Sequence, residues 1–114
     1  MAMQPADFLR SAREAIKEVS PAEAKALIEN GIQVLDVRDP NEFATNAPIA
    51  AINVSRGMLE FKIGSLDELS DRNQPLLVIC GTGARSAMAA QTLGQMGFTD
   101  VSSMAGGLTE WGKL

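Results

Sequence analysis

Apolar residues open the chain at helical spacing and later give way to unbroken runs. Over residues 5–19, Phe8, Leu9, Ala12, Ala15, Ile16 and Val19 share one stripe, with Arg13, Glu14 and Lys17 between them, which predicts an amphipathic helix. Ser20-Pro21-Ala22-Glu23 then supplies a capping box with proline at the first helical position. The helix it starts turns Ala24, Leu27 and Ile28 inward and stops at Asn30-Gly31, a left-handed cap signal. Ile32-Gln33-Val34-Leu35-Asp36-Val37 reads as a buried strand. Asp39-Pro40-Asn41-Glu42 repeats the cap and predicts a short helix with Phe43 facing the core.

Further along, Ala51 to Val54 predicts a short strand, Met58 to Ile63 a helix, and Leu66 to Leu69 another turn. Asp71 to Pro75 is a polar loop ahead of the apolar run Leu76-Leu77-Val78-Ile79. A helix then extends to about Met96 and ends at Gly97, with Met88 and Met96 as core fillers. Val101 to Met104 forms a last strand, and Gly106-Gly107 leads into a short helix that Trp111 anchors to the core. Strands alternating with helices predict an α/β fold with a mainly parallel sheet.

Composition narrows the function classes. The 114 residues suit one domain, and 46% apolar against 21% charged residues supports a real core. A net charge of −4 opposes nucleic acid and anionic membrane surfaces as partners. No apolar stretch has the length of a membrane span and no basic-then-apolar leader is visible, so a cytoplasmic location is expected. One cysteine precludes an internal disulfide. With no histidine, a zinc site, a histidine acid or base and a histidine-based triad are all excluded.

That single cysteine, Cys80, ends an apolar run and opens Gly81-Thr82-Gly83-Ala84-Arg85-Ser86, which runs into the helix-like Ala87-Met88-Ala89-Ala90. A strand, a tight loop and a helix N-terminus in sequence place the thiol where unpaired N–H groups favour an anion. Gly81 and Gly83 permit the backbone to wrap closely, and its N–H groups would form a nest around the sulfur. Arg85 adds a planar cation, and Ser86 caps the helix or donates to the same anion. Such a cradle stabilises both a thiolate nucleophile and a charged adduct upon it. The competing reading, a small hydrophobe inert at a strand end, suits a lone cysteine better than one set in this loop.

Loop length separates two chemistries. Cysteine phosphatases place one residue more between cysteine and arginine than the Gly81-Thr82-Gly83-Ala84 found here. The shorter ring suits an anion about the size of one extra sulfur, and no aspartate stands out as a phosphatase general acid.

In these residues the chain resembles the rhodanese family of single-domain sulfurtransferases. The resemblance rests on Leu35-Asp36-Val37-Arg38-Asp39-Pro40-Asn41-Glu42-Phe43, Ala51-Ile52-Asn53-Val54, the Cys80–Ser86 loop, and Met104-Ala105-Gly106-Gly107-Leu108-Thr109-Glu110-Trp111. It implies the rhodanese α/β fold, a central and mainly parallel sheet flanked by helices on both faces, for residues 19–114 as a single domain, with residues 1–18 as a helical extension. It implies that Cys80 takes sulfane sulfur from a small anionic donor such as thiosulfate or a persulfide. The sulfur then passes to a thiol or cyanide acceptor, with no metal or organic cofactor, in a monomer or homodimer. Alternatives on the same fold are a binding or sensing module, and phosphatase or arsenate reductase chemistry. The family usually carries a Gly-His-Ile motif where this chain has Asn46-Ala47-Pro48-Ile49-Ala50-Ala51, which implies an altered pocket rim or packing.

Four other residues complete the reading. Asp36, Arg38 and Glu42 are read as an ion-pair network that fixes the loop, in preference to Arg38 entering the pocket. Arg56 either reaches the pocket mouth to bind an anionic donor or stays a solvated loop arginine. The apolar stripe of the first helix packs on its own domain in preference to a second subunit.

Overall fold

The computed structural model describes residues 1–114. Its organising element is the strand β4 (Leu76–Ile79), every residue of which is buried. β4 pairs with β2 (Gln33–Asp36) on one side and β5 (Val101–Met104) on the other. β1 (Lys17–Val19) lies beyond β5 and β3 (Ile52–Asn53) beyond β2, giving the order β1-β5-β4-β2-β3 with every ladder parallel. A parallel strand covered on both faces has no polar side, which is why β4 reads as an unbroken apolar run.

Side-chain alternation divides two cores across the sheet. Leu35, Val37, Leu76, Val78 and Cys80 face one side, against α4 (Leu59–Lys62) and α5 (Ala84–Gln95). Val34, Leu77, Ile79 and Met104 face the other, with Ala24 of α2 (Pro21–Glu29) and with α6 (Gly107–Trp111) against them. Trp111 is half-buried against this second core, as an anchor of its helix. Helices thus flank both faces, and the register sets Ser103 of β5 beside Val78, on the side of Cys80.

Three expectations need correction. The first helix, α1 (Pro5–Ala15), is shorter than the spacing predicts, and Lys17–Val19 form the edge strand β1. Helical spacing continues through these residues, but Ile16 is extended (φ −123°, ψ 168°) and the chain takes the open edge of β5 instead. Lys17 seals that edge with an ion pair to Asp100 at 2.7 Å. Secondly, α3 (Pro40–Thr45) buries none of its residues; Phe43 is only half-buried and Ile49 enters the second core instead. Thirdly, Met88 belongs to neither core, whereas Met96 packs on the first. α1 packs across α5 with Ala12 fully buried, an intramolecular contact as the sequence suggests, although Phe8 and Ala15 of its stripe stay exposed.

Candidate active site

Cys80 follows β4 directly and is 1% exposed. Beyond it the chain turns through Gly81, Thr82 and Gly83 into α5, with Gly83 in the left-handed region at φ +93°. A Cβ on Gly83 would stand 2.9 Å from the Gly106 nitrogen, so no side chain fits there. The turn brings the N–H groups of Gly83 and Ser86 to the Cys80 sulfur, at 3.1 and 3.3 Å. The N–H groups of Gly81, Thr82, Ala84 and Arg85 have no acceptor within the chain. The sulfur therefore sits at the N-terminus of a 12-residue helix, among donors with capacity to spare.

Beneath the sulfur runs a buried hydroxyl pair. Cys80 Sγ lies 3.4 Å from Ser86 Oγ, which is 2.8 Å from Ser103 Oγ and 3.3 Å from the Gly83 carbonyl. Both serines are fully buried. Ser103 escaped the sequence reading. The available signal was alternation along β5, which directs Val101 and Ser103 to one face and Ser102 and Met104 to the other.

A second element missed as a contributor is the start of α6. Leu108 N–H donates to the Cys80 carbonyl at 2.9 Å, and Thr109 N–H to the Gly81 carbonyl at 3.0 Å. Thr109 Oγ1 adds a bond to the same Gly81 oxygen at 3.1 Å. Both carbonyls are thereby drawn toward α6. Such close backbone approach requires glycine at 107: a Cβ there would lie 2.5 Å from the Gly81 carbonyl group. The sequence signal was the Gly106-Gly107 pair between a strand and a helix.

The arginines are all engaged. Arg85 donates from Nη1 and Nη2 to the two carboxylate oxygens of Glu42, at 2.7 and 3.0 Å. This fork holds Glu42 at about 2, well below its usual 4.5, helped by the Asp39 N–H. The carboxylate in turn raises Arg85. Arg38 and Asp36 form a separate buried pair at 2.8 Å, and their hydrogen bond raises Arg38. Arg38 also holds the Asn46 carbonyl at 2.8 Å, while Ala47, Pro48 and Ala50 of that segment are exposed. Asp36 and Arg38 thus have the geometry of a structural pair, whereas Glu42 joins Arg85 to α3. Arg56 donates to Glu60 at 3.1 Å and to Thr92 Oγ1 at 3.0 Å, along α5 from the loop. The loop therefore gathers Cys80, Gly81, Thr82, Gly83, Ala84, Arg85 and Ser86, with Glu42 at its rim; Arg56 makes no bond to it.

Comparison with known proteins gives a consistent picture. The Rhodanese-like domain family matches residues 20–114. Thiosulfate sulfurtransferase GlpE of Pseudomonas aeruginosa (strain LESB58) is 36% identical over 98 residues, 86% of each chain. The human single-domain sulfurtransferase TSTD1 superposes with a TM-score of 0.76 at 25% identity, over 84% of this chain and 95% of that one. A protein of unknown function from Rhodopseudomonas palustris, described as a possible tyrosine phosphatase, has a TM-score of 0.88 at 28% identity. That superposition covers 99% of this chain, α1 included, and 92% of the other.

Proposed function

Because this chain belongs to the rhodanese-like family, we propose that it is a sulfurtransferase in which Cys80 carries the sulfur. The Cys80 thiolate attacks the outer sulfur of a donor such as thiosulfate or a persulfide. A Cys80 Sγ–S bond forms as the donor's S–S bond breaks, and sulfite (or the donor thiolate) leaves with the electron pair. The product is a Cys80 persulfide anion. An acceptor thiolate or cyanide then attacks the terminal sulfur, takes it, and returns the Cys80 thiolate.

The observation that carries this reading is the seat of the sulfur. Gly83 and Ser86 already donate to it, and the unpartnered N–H groups of Gly81, Thr82, Ala84 and Arg85 can receive the charge that moves outward onto the added sulfur. Ser86 Oγ, which accepts from the Cys80 thiol and pairs with Ser103, can turn its hydrogen to the sulfur once the thiol has lost its proton. Arg56 carries no assigned role in the scheme: Nη1 serves Glu60 and Nη2 serves Thr92, while its buried Nε has no partner. Residues 1–18 are read as an extension fastened to a single domain, residues 19–114, through the packing of α1 on α5.

Mass spectrometry of the intact protein after incubation with thiosulfate tests the scheme. A gain of one sulfur atom is expected, lost on treatment with cyanide and absent from Cys80→Ser. No gain with either thiosulfate or glutathione persulfide, or a gain that persists in Cys80→Ser, would sink it. A phosphate-ester reading fits the four-residue Cys80–Arg85 spacing poorly, and turnover of an aryl phosphate at rates above sulfur transfer would reverse that preference. Stoichiometric capture of a partner without turnover would instead indicate a binding module.

A further inference from the structure

We propose that Glu42 sets the charge class of the sulfur donor. By occupying both terminal nitrogens of Arg85 it leaves the loop without a free cation, which disfavours dianionic donors relative to singly charged ones. The sulfurtransferase reading makes that anion a donor, but the selectivity itself is a binding property that needs no turnover.

Arg85 stands at the loop's rim, with Nη2 3.4 Å from the position a Cβ on Gly81 would take. Both its terminal nitrogens point at Glu42. The carboxylate is itself anchored, since Oε2 also accepts the Asp39 N–H at 3.0 Å in the capping box of α3. With Glu42 lowered to about 2, the pair stays charged through the physiological range and no change of pH there releases the guanidinium. Asp39 lies close enough to act on Arg85 as a further negative charge. No other cation compensates: Arg38 is bound to Asp36, and Arg56 to Glu60.

An anion in the loop therefore meets backbone N–H dipoles and a charge-neutral ion pair. Dipoles at a helix N-terminus amount to about half a positive charge. The second charge of a dianion such as thiosulfate faces no free cation and lies near a carboxylate. A singly charged persulfide avoids that cost. Replacing Glu42 with glutamine keeps one oxygen, which at the Oε2 position still accepts from the Asp39 N–H and Arg85 Nη1, while removing the neutralising charge and the second acceptor. A dianion then gains about twice what a monoanion gains, a relative change of about tenfold for a unit charge a few ångströms away near a surface.

The experiment is an NMR titration of the full chain carrying Cys80→Ser, following the Gly81–Ser86 amides with thiosulfate and with thiocyanate at low ionic strength. Adding Glu42→Gln is expected to tighten thiosulfate about tenfold more than thiocyanate, and adding Arg85→Gln as well is expected to erase that gain. A thiosulfate-to-thiocyanate ratio unchanged within about twofold, or a gain that survives the loss of Arg85, overturns the proposal. A second measurement leaves Glu42 in place: thiosulfate affinity of the Cys80→Ser chain should fall only shallowly as salt rises. A steep fall, the mark of an unpaired cation at the site, overturns the proposal too. Cys80→Ser cannot carry sulfur, so failure here is separate from any failure of Cys80 to load.

Discussion

Gly107→Ala is the substitution through which the structure commits itself most sharply. Gly107 has φ +59°, where an alanine costs about 1–2 kcal/mol. Its new Cβ would meet the Gly81 carbonyl carbon and oxygen at 2.5 Å and the Cys80 oxygen at 2.6 Å. All three are backbone atoms, so no rotamer change relieves the contact. Relief requires α6 to withdraw, which breaks the Leu108–Cys80 and Thr109–Gly81 hydrogen bonds, each worth about 1 kcal/mol. The total loss is about 3–4 kcal/mol, a large share of a typical domain's stability. Gly97→Ala is the control: φ is +96°, but nothing lies within 4 Å of the added carbon, so only the conformational cost of about 1–2 kcal/mol remains. Urea unfolding gives both stabilities, and the rate of sulfur loading onto Cys80 gives the functional effect. Gly107→Ala should be about 2 kcal/mol less stable than Gly97→Ala and load sulfur at least about tenfold more slowly. Equal stabilities, together with unchanged loading, would refute the idea that α6 holds the loop.

Other substitutions test separate contacts. Arg38→Met leaves the Asp36 carboxylate buried and unpaired and should cost about 3–5 kcal/mol in urea unfolding. Glu42 is lowered in the folded state from 4.5 to about 2, so its contribution is complete above pH 4.5, declines as pH falls, and is gone below about 2. Both partners are 38% exposed, which limits that contribution to about 1 kcal/mol; the unfolding midpoints of wild type and Glu42→Gln should converge across this window. Ser103→Ala removes the partner of a buried hydroxyl and should cost about 1–2 kcal/mol, with slower sulfur loading and recovery of both in Ser103→Thr.

Much of this architecture is legible from local signals. The capping boxes at Ser20 and Asp39 form as their residue types dictate, and Gly97 ends α5 in the left-handed region. The unbroken run of β4 marks the strand that leads to Cys80, because a doubly covered strand leaves no polar positions. What the sequence conceals is set by distant partners. Residues 17–19 keep helical spacing, yet the vacant edge of β5 claims them. Arg85 looks like a free cation until α3 swings Glu42, 43 residues away in sequence, against it. Ser103 and Gly107 gain their importance only when β5 and α6 are laid behind the loop. Long-range geometry of this sort has no local pattern to betray it.

The hydrogen bond from Leu108 to Cys80 has a temporal meaning as well. Leu108 follows β5, which is held on its outer side by β1, with Ala105 N–H donating to the Val19 carbonyl at 2.8 Å. Contacts spanning so much chain form against a loop-closure penalty and tend to come late in folding. During synthesis Cys80 emerges well before the segment that clamps it, so a growing chain displays the thiol before its seat is complete. The seat of Cys80 is therefore a timed feature of this protein, completed by segments from both sides of the sequence around a residue that waits between them.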